Sequence, residues 1–498
     1  MSKKPIPVID LFAGPGGLNE GFSRLGEDSG SPQFETVGSF EMESSAINTL
    51  RLRGLYRRLL RTSGVPDSYY EFIRGERLWE SFLAEPGIAA EFEASSAHVH
   101  QVELGSDDDD SDALIEAALH SAEVTVDSPW VLIGGPPCQA YSLAGRSRRA
   151  NDETFATDKK HFLYREYLRI ITTFSPPIFV MENVKGLLSS STDEHGGMFA
   201  KIKSDLENRD GKHQYTIHSV VSDKEPDQLL PRDFVIQSEH YGVPQKRHRV
   251  ILVGIRNDYF NSAVALDSLQ KSEPVTVGQA LSDMPKLRSG ISPIRDDGAE
   301  AWLGVRDAVS AEHGGSKQKG GRSLTRGGPS VPFANALEGG FGTWVRDPKL
   351  RHAIQHESRG HMLKDLKRYW FAAHEGTNGP SPKLSSFPPD LQPLHKNASA
   401  ASRPFQDRFR VQVADQPSTT VVSHISKDGH YYIHPDPLQM RSLTVREAAR
   451  LQTFPDNYFF WGNRTQQYHQ VGNAVPPLLA TQIAREVRKI FRTKLEVA

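Results

Sequence analysis

Short apolar runs, each closed by a glycine or a polar residue, recur through the first half of the chain. They are PVIDLF (7–12), TVGSF (36–40), WVLIGG (130–135), IFVMEN (178–183) and VILVGI (250–255). Segments with apolar positions at helical spacing separate them, and this alternation predicts a parallel α/β sheet. In such sheets the ligand lies at the carboxyl ends of the strands. A long helical insertion, about 44–95, is expected between the second and third runs. From about 284 to 440 the periodicity fades and Gly, Pro, Ser, His and Arg become frequent, which predicts a second, irregular domain. GGSKQKGGRSLTRGGPS (314–330) within it reads as loop. Regularity returns at TVREAARLQ (444–452), where Thr444 and Glu447 have the spacing of a capping box. A last helix should start after Pro476-Pro477 and pack Leu479, Ile483, Val487, Ile490 and Phe491 against the sheet. The expected division is 1–283, 284–465 and a returning helix in 466–498.

Composition narrows the class. The chain has 498 residues, 37% hydrophobic and 24% charged, as in ordinary soluble proteins. No run is long and apolar enough for a membrane span, and the N-terminus lacks a secretory signal, so a cytoplasmic location is expected. The net charge of -2 excludes nothing, because a basic face can coexist with an acidic remainder. DDDDSD (107–112) reads as a solvated acidic loop; GRSRR (145–149) and KQKGGR (317–322) are locally basic. Cys138 is the one cysteine, which rules out an internal disulfide and a thiolate zinc cluster, and no metal is expected.

Two stretches carry chemistry. DLFAGPGGLNEGF (10–22) follows the first strand, and Gly14, Gly16 and Gly17 permit a tight turn and close approach of backbone to a ligand. The pattern is not GxGxxG and no phosphate-binding lysine follows, so a nucleoside triphosphate does not fit. Glu41, closing the second strand, is placed to accept two ribose hydroxyls. A glycine loop with a ribose carboxylate and no phosphate cradle suggests S-adenosylmethionine; the same glycines would also serve a plain strand-to-helix turn. The second stretch, GGPPCQAYS (134–142), aims Cys138 from a backbone stiffened by Pro136 and Pro137. A thiol beside a methyl donor points to a pyrimidine C5. That carbon is a poor nucleophile until a thiolate adds at C6, whereas an exocyclic amine needs no such help. An acid must then support N3, and Glu182 of MENV (181–184) is the candidate, the alternative being a solvated loop residue.

These residues resemble the DNA cytosine-5 methyltransferases of bacterial restriction–modification and related defence systems. The matching blocks stand in the family's order: DLFAGPGG (10–17), Glu41, GGPPCQAYS (134–142), ENVKG (182–186), QKRHR (245–249), TVREAARLQTFPD (444–456) and QVGNAVPP (470–477). The resemblance implies a Rossmann-like methyltransferase sheet with helices on both faces, plus a smaller irregular target-recognition domain within 284–465, with 402–437 as its closing portion. It implies Cys138 as nucleophile, Glu182 as N3 partner, Arg249 at the cytosine O2 and catalytic loop, and Arg247 as organiser of the site. It implies S-adenosyl-L-methionine as cofactor and S-adenosyl-L-homocysteine as product. Phe12 would lie against adenine, Glu41 at the ribose and Asn473 near the methionine moiety. Gly14, Gly16, Gly17, Leu18 and Pro136 complete the cofactor set, and Glu103, in HVHQVELGS (98–106), is the candidate for the adenine amine. The partner is double-stranded DNA, with the target base flipped out. GRSRR would close on the phosphates, and Arg322, Arg346 and Arg351 are candidate DNA contacts. A monomer is expected, beside a cognate endonuclease or defence-operon proteins.

Three rival readings carry less. RNA cytosine-5 methyltransferases mostly use two cysteines, although one branch of the DNA-type family methylates transfer RNA. A silent DNA-binding regulator would have no need of Cys138 and Glu182. An amino-methyltransferase would place an aromatic where Cys138 stands.

Overall fold

The structure, a computed structural model, describes residues 4–27, 29–137, 163–189, 197–207, 214–260, 266–293, 297–312, 324–393 and 407–497. The central sheet is built from β1 (Ile6–Leu11), β2 (Phe34–Glu41), β3 (Val99–Gln101), β4 (Val131–Gly134), β5 (Ile178–Val184), β6 (Tyr215–His218), β7 (Val235–Gln237) and β9 (His248–Arg256). A short β8 (Gln245–Lys246) precedes β9. Strand order is β3-β2-β1-β4-β5-β9-β6, with β7 also paired to β9. The first five are parallel, with β1 between β2 and β4 and β5 beside β4.

The expectation of an all-parallel sheet fails at β9. That strand runs antiparallel to β5, in a register that sets Val184 opposite Arg249 and Glu182 opposite Ile251. Apolar periodicity says that a segment is a strand, not which way it runs. The reversal matters here, because it brings the amino end of β9 to the sheet edge where β5 ends.

Both faces of the sheet are covered, because side chains alternate across it. Ile9, Leu11, Leu132, Phe179 and Met181 pack with the helices Ser111–Ser121, Leu163–Phe174 and Gly197–Glu207. Ile6, Val8, Val131, Ile133, Val180 and Ile251 face the helices Gly17–Arg24 and Pro477–Val497. Leu479, Ile483, Val487, Ile490 and Phe491 are all buried there, as their spacing predicts. The insertion is helical as expected, over Ser44–Thr62, Asp67–Ile73, Trp79–Leu83 and Ile88–Ser96. Its aromatic side chains pack against Leu350, Ile354, Phe459 and Trp461, far along the chain. DDDDSD is only partly loop, since a helix begins at Ser111 inside it.

The stretch 284–440 is more regular than its composition suggests. It holds two short ladders, Gly290–Ser292 with Gly360–Met362 and Gly327–Pro332 with His352–Glu357. It also holds the helices Ala299–Glu312, Gly339–Val345 and Leu363–Thr377. A further core joins Val277, Ala353, Val421, Leu443, Leu451, Tyr458 and Val471. The capping box forms: Thr444 Oγ1 accepts from Glu447 N at 3.2 Å, and Thr444 N donates to Glu447 Oε2 at 2.7 Å.

Candidate active site

At the carboxyl end of β1 the chain turns sharply into the helix Gly17–Arg24. Phe12, Gly14 and Gly16 all take positive φ, of 54°, 54° and 88°. A methyl group added at Gly14 would meet nothing within 4 Å, so this turn borders open space that a ligand can enter. Gly17 is the opposite case, since its added carbon would stand 2.2 Å from Val475 O. The turn is thereby pressed against the chain two residues beyond Asn473, which is the exposed last residue of the helix Arg464–Asn473. Leu18 is buried in the first turn of its helix. Tyr458 Oη donates to Pro15 O and pins the loop from the other side.

Glu41 ends β2 and is held by main chain. Its Oε2 accepts from Gly14 N at 2.7 Å, and its Oε1 accepts from Met42 N and Glu43 N, both at 2.9 Å. Burial raises its carboxyl above the usual range, against the pull of these N–H groups. A carboxylate oriented beside an open glycine turn suits the hydroxyls of a ribose. The residues present therefore fit an adenosine-type cofactor, which Glu41, the Gly14 turn and Asn473 would hold. Glu103 lies exposed two residues past β3. Val102 N donates to Glu41 O at 3.0 Å, which ties that segment to the same edge.

The second half of the edge is formed by β4, β5 and β9. Gly135, Pro136 and Pro137 follow β4, and Asn183 Nδ2 donates to Pro136 O at 3.3 Å. An added carbon at Gly135 would stand 3.0 Å from Glu182 Oε2, so the proline turn lies directly on that carboxylate. Arg249 Nε donates to Glu182 Oε1 at 2.7 Å, with the two side chains 13% and 12% exposed. Burial lowers the Arg249 pKa and Glu182 opposes the shift. Arg247 is deeper. Its Nη1 donates to Val421 O at 2.8 Å and to Gly472 O at 3.2 Å. Burial, and then the charge of Arg249, hold its pKa well below the usual arginine range. Cys138, one residue past Pro137, lies outside the described residues, as do GRSRR and Arg322.

Glu182, Arg247 and Arg249 thus converge with the proline turn, while Phe12, Gly14, Gly16, Gly17, Leu18 and Glu41 gather around the glycine turn, against which Val475, two residues past Asn473, is packed. Arg346 does not behave as a DNA-facing residue. Its guanidinium stacks at 3.5 Å on the Phe333 ring and reaches Asp283 at 3.3 Å. Arg351 is exposed. Sequence reasoning missed Asn183, Tyr458 and Asp10. Asn183 was legible as the neighbour of Glu182 in ENVKG. Asp10 is buried in β1 with Oδ2 lacking a partner among the described residues, and burial, then Glu41, push its carboxyl well up.

Comparison with known proteins decides the family. The family described as C-5 cytosine-specific DNA methylase matches residues 115–489. The type II methyltransferase M.Bpa9945I of Bacillus paralicheniformis is 35% identical, over 97% of this chain and 99% of its own length. The chain belongs to the C-5 cytosine-specific DNA methylases. Among these methylases, the type II methyltransferase M1.HphI of Haemophilus parahaemolyticus is 26% identical over 97% of this chain and 87% of its own. The DNA (cytosine-5-)-methyltransferase M.ApeKI of Aeropyrum pernix is 26% identical over 72% and 81%. The fold has a counterpart in a crystal structure assigned as a DNA modification methyltransferase encoded within a prophage (E. coli). It matches with a TM-score of 0.54 at 18% identity, over 98% of this chain and 99% of that one. Among the described residues no helix is long and apolar enough to cross a membrane.

Proposed function

We propose that this methylase transfers the methyl group of S-adenosyl-L-methionine to C5 of a cytosine within one duplex DNA sequence, with Cys138 as nucleophile. The observation that supports it is the Glu182–Arg249 pair, set against the proline turn that leads into Cys138. A guanidinium beside a carboxyl group presents a flat row of donors and acceptors, which suits the O2–N3 edge of cytosine. In this reading Arg249 holds O2 and Glu182 supports N3 with a proton or hydrogen bond. The Cys138 thiolate adds to C6, the displaced electrons make C5 nucleophilic, and C5 takes the methyl group. Loss of the C5 proton then expels the thiolate and restores the ring. Arg247 fixes the stretch that carries Arg249.

The bound cofactor supplies an electrophilic methyl on sulfonium. Glu41 would take its ribose hydroxyls and Phe12 would lie against adenine. Gly14, Gly16, Gly17, Leu18 and Pro136 would approach it closely, Asn473 would face the methionine end, and Glu103 would take the adenine amine. The catalytic part is 1–283 with the helix of 466–498, and 284–465 reads the sequence by base-edge contacts. The target base is flipped, because a thiol cannot reach C6 inside a stack. GRSRR (145–149) would supply positive charge to the phosphates. The curated relatives are named type II methyltransferases, which supports protection of host DNA beside a nuclease or in phage defence.

Bisulfite sequencing of DNA from a methylation-free bacterial host expressing the chain tests this. Protected cytosines should fall at one position of one short sequence. Absence of any protected context, with the protein folded and expressed, would contradict the reading.

A further inference from the structure

Three blocks distant in sequence meet at two buried amides. Gln245 opens the QKRHR block and Gln452 closes TVREAARLQ, and both side chains are fully buried. Gln245 Oε1 accepts from Val421 N at 2.7 Å. Gln245 Nε2 donates to Gln452 Oε1 at 2.8 Å and to Leu451 O at 3.2 Å. Gln452 Nε2 in turn donates to Val471 O at 2.8 Å and to Ala474 O at 3.0 Å. The donors therefore point one way, from Val421 through both amides to the turn around Asn473, an arrangement in which each bond polarises the next.

The two ends of this chain of bonds are also packed against each other. Ser418–Thr419 pairs with Gln245–Lys246, and Thr420 Oγ1 donates to Lys246 O at 2.6 Å. A carbon added at Gly472 would stand 2.3 Å from Ser423 N. The segment 418–423 cannot move relative to β8 without disturbing Gln245, nor relative to Asn473 without disturbing Gly472.

We infer that Gln245 and Gln452 form a positioning relay that ties Val421, on the side that reads DNA, to Asn473, on the side that holds the cofactor, so that duplex and cofactor bind cooperatively. The inference rests on the proposed function, in which 284–465 meets DNA and Asn473 faces the methionine end. Both glutamines are fully buried, so their part is positioning rather than ligand contact. A pair that only braced the fold would lower stability and leave cooperativity alone, and that difference is measurable.

Calorimetric titration of S-adenosyl-L-homocysteine into the full chain, with and without a short duplex carrying the site found by bisulfite sequencing, separates the two. In the natural protein the duplex should tighten homocysteine-product binding by about fivefold or more. Arg247, which bonds both Val421 O and Gly472 O, stays in place in these variants; Gln452→Met and Gln245→Met should each lower the ratio by about threefold or more, and the double variant should lose nothing further. Product affinity of the free chain should stay within about twofold. Variants that unfold more easily yet keep the full ratio would overturn the relay. Amide hydrogen exchange of the natural protein needs no variant: duplex alone should slow exchange at 471–474, and unchanged exchange there would also overturn it. A natural protein that binds duplex and product without cooperation sinks the relay alone; one that binds neither sinks the functional reading beneath it.

Discussion

Glu41 and Glu182 stand near the carboxyl ends of parallel strands in one sheet, yet their surroundings differ in kind. Glu41 is held by three backbone N–H groups, from Gly14, Met42 and Glu43. Glu182 is held by the Arg249 guanidinium, under a proline turn tied down by Asn183. Backbone donors are fixed by the fold, so Glu41 keeps one orientation whether or not a ligand is present. That is what a binding group for neutral hydroxyls requires. A guanidinium has five donors and can share them, so the Glu182–Arg249 pair is free to re-divide its hydrogen bonds, as the proposed contact with a base edge requires. On the proposed reading, the partner of a carboxylate, more than its place on a strand, separates the group that binds from the group that takes part in chemistry.

The comparison can be broken most severely at Glu182. Glu182→Gln should slow single-turnover methyl transfer by about two to four orders of magnitude, the usual worth of a general acid. It should leave S-adenosyl-L-homocysteine affinity within about twofold. Because Arg249 then stays buried without its anion, unfolding in urea should also come earlier, by about 3 kcal/mol. A parallel loss of cofactor affinity would erase the distinction. Glu41→Ala is the counterpart. Loss of charge-assisted hydrogen bonds, about 1.5–3 kcal/mol, should weaken product binding about tenfold to a hundredfold. The rate at saturating cofactor should stay within about threefold, and a rate loss matching that of Glu182→Gln would contradict the division.

The comparison sharpens inside the glycine turn. Gly17→Ala forces a carbon to 2.2 Å from Val475 O and should cost about 1–3 kcal/mol of stability in urea unfolding. Gly14→Ala meets open space, and its positive φ should cost only about 1 kcal/mol. Yet it is Gly14→Ala that should impair cofactor titration more per unit of stability lost, since its methyl enters the ligand's space. Equal ratios for the two would show that the turn is only structural.

How much of this was legible in the sequence depends on how local each cause is. The strands PVIDLF, TVGSF, WVLIGG, IFVMEN and VILVGI were visible because each is a largely apolar run closed by a glycine or a polar residue, and most of their positions are buried. β3, β6 and β7, of three or four residues, carry too little pattern to stand out. The direction of β9 was hidden, because pairing is set by tertiary context, and with it the reason that Arg249 reaches Glu182. Glu41 and Glu182 could be named from their places at strand ends. Their partners could be foreseen only in part: Gly14 is in the neighbouring motif, but Arg247 bonds to Val421 and Gly472, far away in sequence. The helices of 284–440 were masked by Gly- and Pro-rich neighbours. Arg346 looked like a DNA contact because its composition context is basic, and only the ring of Phe333 and the carboxylate of Asp283 show it turned inward.

The central claim is that Cys138 bonds to C6 of a cytosine whose C5 is then methylated. A duplex bearing 5-fluorocytosine at the target position tests it directly, because fluorine cannot leave C5 as a proton does and the thiolate is not expelled. Incubated with this duplex and S-adenosyl-L-methionine, the natural protein should form a complex that survives denaturing electrophoresis. Cys138→Ser should form none while still binding S-adenosyl-L-homocysteine. A serine variant that methylates ordinary duplex at a comparable rate, or a natural protein that methylates it and traps no 5-fluorocytosine, would contradict the account.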